Sequence, residues 1–87
     1  MKKVAYAVTD SMGLHARPAG LLVKKAAAYK SSVTLKSMET GKTADAKRIM
    51  GVMSLGVKQG NRIELVIEGA DEDTAATELE AFLKENL

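Results

Sequence analysis

Arg62-Ile63-Glu64-Leu65-Val66-Ile67-Glu68 is the stretch from which the fold can be read. Ile63, Leu65 and Ile67 alternate with the residues between them, so a strand here puts one apolar row on a single side. Gly60-Asn61 supplies the turn that enters it and Gly69 breaks it. Beyond Gly69, Asp71 stands where a helix N-cap is favoured, and Glu72 and Asp73 suit the positive end of the helix dipole. Ala75, Ala76, Leu79, Phe82 and Leu83 then recur with a 3.6-residue period. The pattern predicts a buried strand followed by an amphipathic helix that Asp71 caps.

Moving back along the chain, Ala46 to Leu55 suits a short helix ended by Gly56 in a left-handed cap. Before it, Val33-Thr34-Leu35-Lys36 reads as a strand, Glu39 to Lys42 as a turn and Thr43-Ala44 as a weak returning strand. From Ala16 to Tyr29 the apolar positions 19, 22, 23, 26 and 29 form one helical stripe, with Lys24 and Lys25 off it and facing water. Val4 to Val8 alternates as a strand, with Val4, Tyr6 and Val8 on one side. A mostly antiparallel four-stranded sheet with helices on one face buries all these stripes. The expected fold class is α+β, in the order βαββαβα, as one domain over residues 1–87.

Composition narrows the chemistry. The 87 residues contain no cysteine and one histidine, which excludes disulfides, thiolate chemistry and the usual zinc sites; no metal or cofactor is expected. Neither a G-x-G-x-x-G loop, a P-loop nor a G-x-S-x-G elbow occurs. Tyr6, Tyr29 and Phe82 are the only aromatics, too few for a base-stacking platform. Lys2-Lys3 is followed by only five apolar residues, short of the roughly 7–15 of a signal peptide, and no run nears the roughly 20 of a membrane span. A cytoplasmic protein without membrane insertion is expected. The net charge of +2 divides unevenly, +8 over residues 1–60 and −6 over residues 61–87, as suits a partner steered by charge.

Gly13-Leu14-His15-Ala16-Arg17-Pro18 carries the chemistry. Pro18 suits a first helical turn, which places His15 at or next to an N-cap, beside unpaired backbone N–H groups and the positive end of a helix dipole. Arg17 adds a guanidinium with several donors for phosphate, and Gly13 permits a tight backbone approach. A neutral imidazole is nucleophilic near pH 7. Reversible phosphorylation of His15 needs this arrangement.

Together with Ile49-Met50-Gly51-Val52-Met53-Ser54-Leu55-Gly56, the segment resembles the HPr family, the histidine-containing phosphocarriers of the phosphoenolpyruvate-dependent sugar phosphotransferase system. The likeness spans the whole length, and the second motif looks like the Gram-positive form. It implies an open-faced β-sandwich and a carrier that is not an enzyme, and a monomer is expected. By this resemblance, Nδ1 of His15 accepts a phosphoryl group from enzyme I and passes it to a IIA component. Arg17 and the backbone N–H groups of Ala16 and Arg17 would hold that group. Gly20 and Lys24 of the first helix, with Arg48, Ile49, Met50 and Met53 of the second, would form the docking surface. Ile49, Met50, Val52, Met53 and Leu55 are more apolar residues than so short a helix can hide, and exposed methionine suits several partners.

Two positions depart from the family. Arg48 stands where most relatives carry the serine phosphorylated by HPr kinase, so a carrier without that regulation is expected, at a cost of roughly 0.3–1 kcal/mol against the helix dipole. Met12 stands where relatives often have a capping Ser or Asn, leaving Ser11 or the backbone and solvent to serve. The alternatives are a carrier of the nitrogen-related branch and a regulatory or polyanion-binding module. The scarcity of aromatics speaks against nucleic acid.

Overall fold

The computed structural model describes all residues from Met1 to Leu87. Along the chain run β1 (Lys2–Ala7), α1 (Ala16–Ala27), β2 (Ser32–Ser37), β3 (Thr43–Asp45), α2 (Ile49–Ser54), β4 (Arg62–Glu68) and α3 (Glu72–Asn86). The sheet order is β1-β4-β2-β3, antiparallel throughout. The expected order and sheet type are therefore found.

β4 is the centre because its alternation is the most complete. It pairs with β1 through Val4↔Leu65 and with β2 through Leu35↔Leu65, and Ile63, Leu65 and Ile67 are fully buried. All three helices cover the same face. Ala19, Leu22 and Ala26 of α1, Val52 of α2, and Ala75, Leu79 and Leu83 of α3 join those strand residues in one core. Each large aliphatic side chain buried there contributes about 1.5–3 kcal/mol. The opposite face, including Lys3, Ala5 and Ala7 of β1, remains uncovered.

Several local expectations are corrected. α2 starts at Ile49, not Ala46, because the Ala46 N–H donates to the Val33 carbonyl at 2.8 Å and extends the β2–β3 ladder. Arg48 is thus the extended N-cap, with φ −124° and ψ 115°. Its Nε lies 3.8 Å from Asp45 Oδ2, so a carboxylate offsets the cost of a cation at that helix start. Lys25 does not simply face water; it is half-buried, 3.7 Å from Glu78 of α3. Gly56, at φ +60°, takes the left-handed position expected after α2.

Asp71 occupies the N-cap of α3 yet makes no side-chain cap. Its carboxylate reaches instead to the turn between α1 and β2, accepting from the N–H groups of Lys30 and Ser31, each at 2.9 Å, and from the Ser31 hydroxyl. Chiefly through the Ser31 hydroxyl, this holds the Asp71 carboxyl down at about 2. On the same side, burial and then the Glu78 hydrogen bond push the Tyr29 hydroxyl up to about 12. Tyr29 lies two residues past the end of α1 but is still buried, as its place on the stripe required.

Candidate functional site

The connection from β1 to α1 is folded by backbone hydrogen bonds. Thr9 and Asp10 donate their N–H groups to the Leu87 carbonyl at 2.6 and 2.8 Å, tying the loop to the end of α3. Asp10 Oδ1 accepts the Met12 N–H at 2.8 Å, and the Asp10 carbonyl accepts the Gly13 N–H at 2.9 Å, which makes a tight Asx turn. Gly13 then adopts φ +65°, where a β-carbon would lie 2.5 Å from the Val57 carbonyl oxygen and 2.6 Å from Lys58 Cα. Only glycine fits both the conformation and the space.

Gly13 lets Leu14 turn inward, buried with its N–H on the Val57 carbonyl at 3.0 Å. The next residue must then turn out. His15 is the N-cap of α1, extended at φ −84° and ψ −174°, and its carbonyl accepts the Ala19 N–H at 3.0 Å. The imidazole makes no capping bond and is 31% exposed. Neither Ser11 nor Met12 caps the helix, so backbone and solvent serve. Because the first helical bond comes from Ala19 and Pro18 has no N–H, Ala16 and Arg17 present the two N–H groups of the first turn that lie ahead of the helical ladder. The Arg17 side chain is exposed and in no ion pair, while Asp10 Oδ2 lies 3.8 Å from His15 Nε2.

The residues expected to dock partners lie on adjoining parts of α1 and α2. A β-carbon on Gly20 would meet Ile49 Cδ1 at 3.6 Å, so the small residue sits directly under the α2 side chain. Ile49, Met50 and Met53 are exposed, Met50 by 80%, whereas Val52 and Leu55 are buried. Lys24 and Arg48 are exposed. Leu21 and Met12 are exposed as well, Met12 by 70%. Leu21 is exposed without having been expected there, although its place off the α1 stripe is visible in the sequence. Asp10 was not expected at His15 either, because its approach depends on the Asx turn. The largest surface depression lies elsewhere, between Lys30, Thr34, Thr43 and Lys47, and contains none of these residues.

An outward-facing imidazole, free helix donors, a charged guanidinium and an exposed apolar patch with no substrate pocket define a class of protein. It is a small α+β carrier that holds an anionic group on its surface for another protein to reach. Residues 2–85 match the family described as the phosphorylation-site HPr component of the phosphotransferase system, and the chain belongs to that family. Phosphocarrier protein HPr of Lysinibacillus sphaericus is 44% identical over 85 residues, covering 98% of this chain and 94% of that one. The structure of HPr from Thermoanaerobacter tengcongensis matches with a TM-score of 0.90 at 41% identity, over 99% of this chain and 94% of that one. Crh of Bacillus subtilis, a domain-swapped dimer in its crystal, matches at 0.75 and 42% identity over 88% and 86% of the two chains. The protein is accordingly a phosphocarrier of the phosphotransferase system and not an enzyme. No helix is long and apolar enough to cross a membrane.

Proposed function

We propose that His15 is the phosphoacceptor, charged by enzyme I and discharged to the histidine of a sugar-specific IIA component. The observation that carries this reading is the outward imidazole at the α1 N-cap, next to the two N–H groups of Ala16 and Arg17 that precede the helical ladder. In this reading Nδ1 attacks phosphorus, the phosphoryl oxygens take those N–H groups, and the Arg17 guanidinium offsets their charge. The carrier works as a monomer in the cytoplasm.

Partners dock on Gly20, Lys24, Arg48, Ile49, Met50 and Met53. A small apolar centre with a basic rim favours fast, steered encounter and quick release, as a carrier with several partners requires. Leu21 and Met12 are further exposed apolar side chains, on α1 and on the loop before it. Arg48 leaves no hydroxyl at the position of the regulatory serine, so charging is not subject to that control.

One reconstituted mixture tests the reading. With enzyme I and phosphoenolpyruvate, the protein is expected to gain an acid-labile, base-stable phosphate that a sugar IIA removes faster than a nitrogen IIA does. His15→Ala should gain none; labelling of that variant sinks the proposal. With HPr kinase and ATP no acid-stable phosphate is expected, and its appearance on Ser54 would refute the role given to Arg48.

A further inference from the structure

We propose that Asp10 is a positioning residue for phosphoryl transfer, holding the ring proton of His15 on Nε2 so that Nδ1 is left bare as the nucleophile. The inference rests on the reading of His15 as phosphoacceptor. Its geometric basis is that Asp10 is not a free surface carboxylate. Its N–H is bound to the Leu87 carbonyl, its carbonyl to the Gly13 N–H and its Oδ1 to the Met12 N–H. With the backbone and one oxygen fixed, the other oxygen is held on the imidazole, 3.8 Å from Nε2. That separation is within ion-pair reach but longer than a hydrogen bond of about 2.7–3.2 Å. In the resting protein the interaction is therefore electrostatic, and it strengthens as the ring acquires charge.

The chemistry needs such a group. A neutral imidazole carries one proton, and Nδ1 can attack only when that proton is on Nε2. A carboxylate facing Nε2 attracts an N–H there and repels a lone pair, which selects the productive tautomer. As the Nδ1–P bond forms, the bond from phosphorus to its donor group on phosphorylated enzyme I breaks, and the electron pair of that bond stays with the donor. Nε2 keeps its proton throughout, the ring becomes a phosphoimidazolium, and its positive charge develops beside Asp10. No proton has to leave. The carboxylate also stands at the nitrogen that does not carry the phosphoryl group, so its repulsion of that group is smaller than it would be at Nδ1. It parallels the buried aspartate that fixes tautomer and steadies imidazolium in hydrolytic triads, here with partial solvent screening because both side chains are about 30% exposed.

His15 is the only histidine, so its ring nitrogens give unambiguous NMR signals. At a pH where the ring is neutral, the 15N shifts of the wild type should report mainly the Nε2–H tautomer. In Asp10→Asn the amide oxygen can still close the Asx turn, while the charge is lost and an N–H faces Nε2, so the population should move toward Nδ1–H. Single-turnover transfer from saturating phosphorylated enzyme I should fall about tenfold, with the denaturation midpoint unchanged. Asp10→Ser, which keeps a turn acceptor without charge, should fall between. An unchanged tautomer overturns the proposal whether or not transfer slows, since slowing alone would trace to the turn. A shifted tautomer with transfer within twofold of wild type overturns it as well. Charging of His15→Ala in the same assay would instead overturn the acceptor assignment, leaving the tautomer result to stand separately.

Discussion

Gly13 has no side chain, and that lack decides where His15 can stand. The positive φ and the contacts of a would-be β-carbon with the Val57–Lys58 backbone both forbid substitution. Gly13→Ala is expected to lose about 2–3 kcal/mol, read from the urea midpoint, and to disturb the hydrogen bond from Leu14 to Val57 that aims the next residue outward. The placing of His15, Arg17 and Gly13 at the start of α1 was legible because it follows from spacing within six residues. Asp10 was not. The role proposed for it depends on which way a loop carboxylate points, which is set by hydrogen bonds to Met12 and to Leu87.

Among the elements, β4 and α3 could be read almost completely, because burial of a single face imposes a period that the sequence must obey. Asp71 shows the limit of such reading. A carboxylate at a helix start is favoured by capping and by the dipole, yet this one binds the turn between α1 and β2 and fastens two elements distant in sequence. The start of α2 was misplaced for a related reason: Ala46 and Arg48 have acceptable helix propensity, but the ladder to β2 claims Ala46 first. The Asp71 arrangement sets a pH dependence. A carboxyl held at about 2, below its usual 3.8, stabilises the fold above about pH 4 and loses that contribution as the pH falls toward 2. Asp71→Asn should lower Tm at pH 7, and the difference from wild type should shrink through this window. Thermal scans at pH 7 and at pH 2–3 check it; a difference that stays constant with pH would mean that ionisation of Asp71 contributes nothing.

On the scale of the whole molecule, charge is sorted along the chain and then in space. Arg17 and Lys24 of α1, with Arg48 at the start of α2, are exposed beside the apolar patch, whereas α3 carries Glu72, Asp73, Glu78, Glu80 and Glu85. Such a separation orients the carrier as it approaches an acidic partner. The second-order rate of charging by enzyme I should therefore drop several-fold between low salt and about 0.5 M salt. Arg48→Ala should lower the low-salt rate and flatten the slope. A rate insensitive to salt would leave the apolar patch as the sole source of recognition.

The hydrogen bonds from Thr9 and Asp10 to Leu87 connect residues 78 and 77 positions apart, the first of them doubled by the Thr9 hydroxyl at 2.7 Å. The loop that aims His15 is thus closed by the last turn of α3. Assembling it requires the longest-range hydrogen bonds the chain has, which folding reaches against a large loop-closure entropy. A molecule whose α3 has come away loses the anchor of that loop together with part of its core, so the ability to accept phosphate doubles as a report that the chain is fully folded.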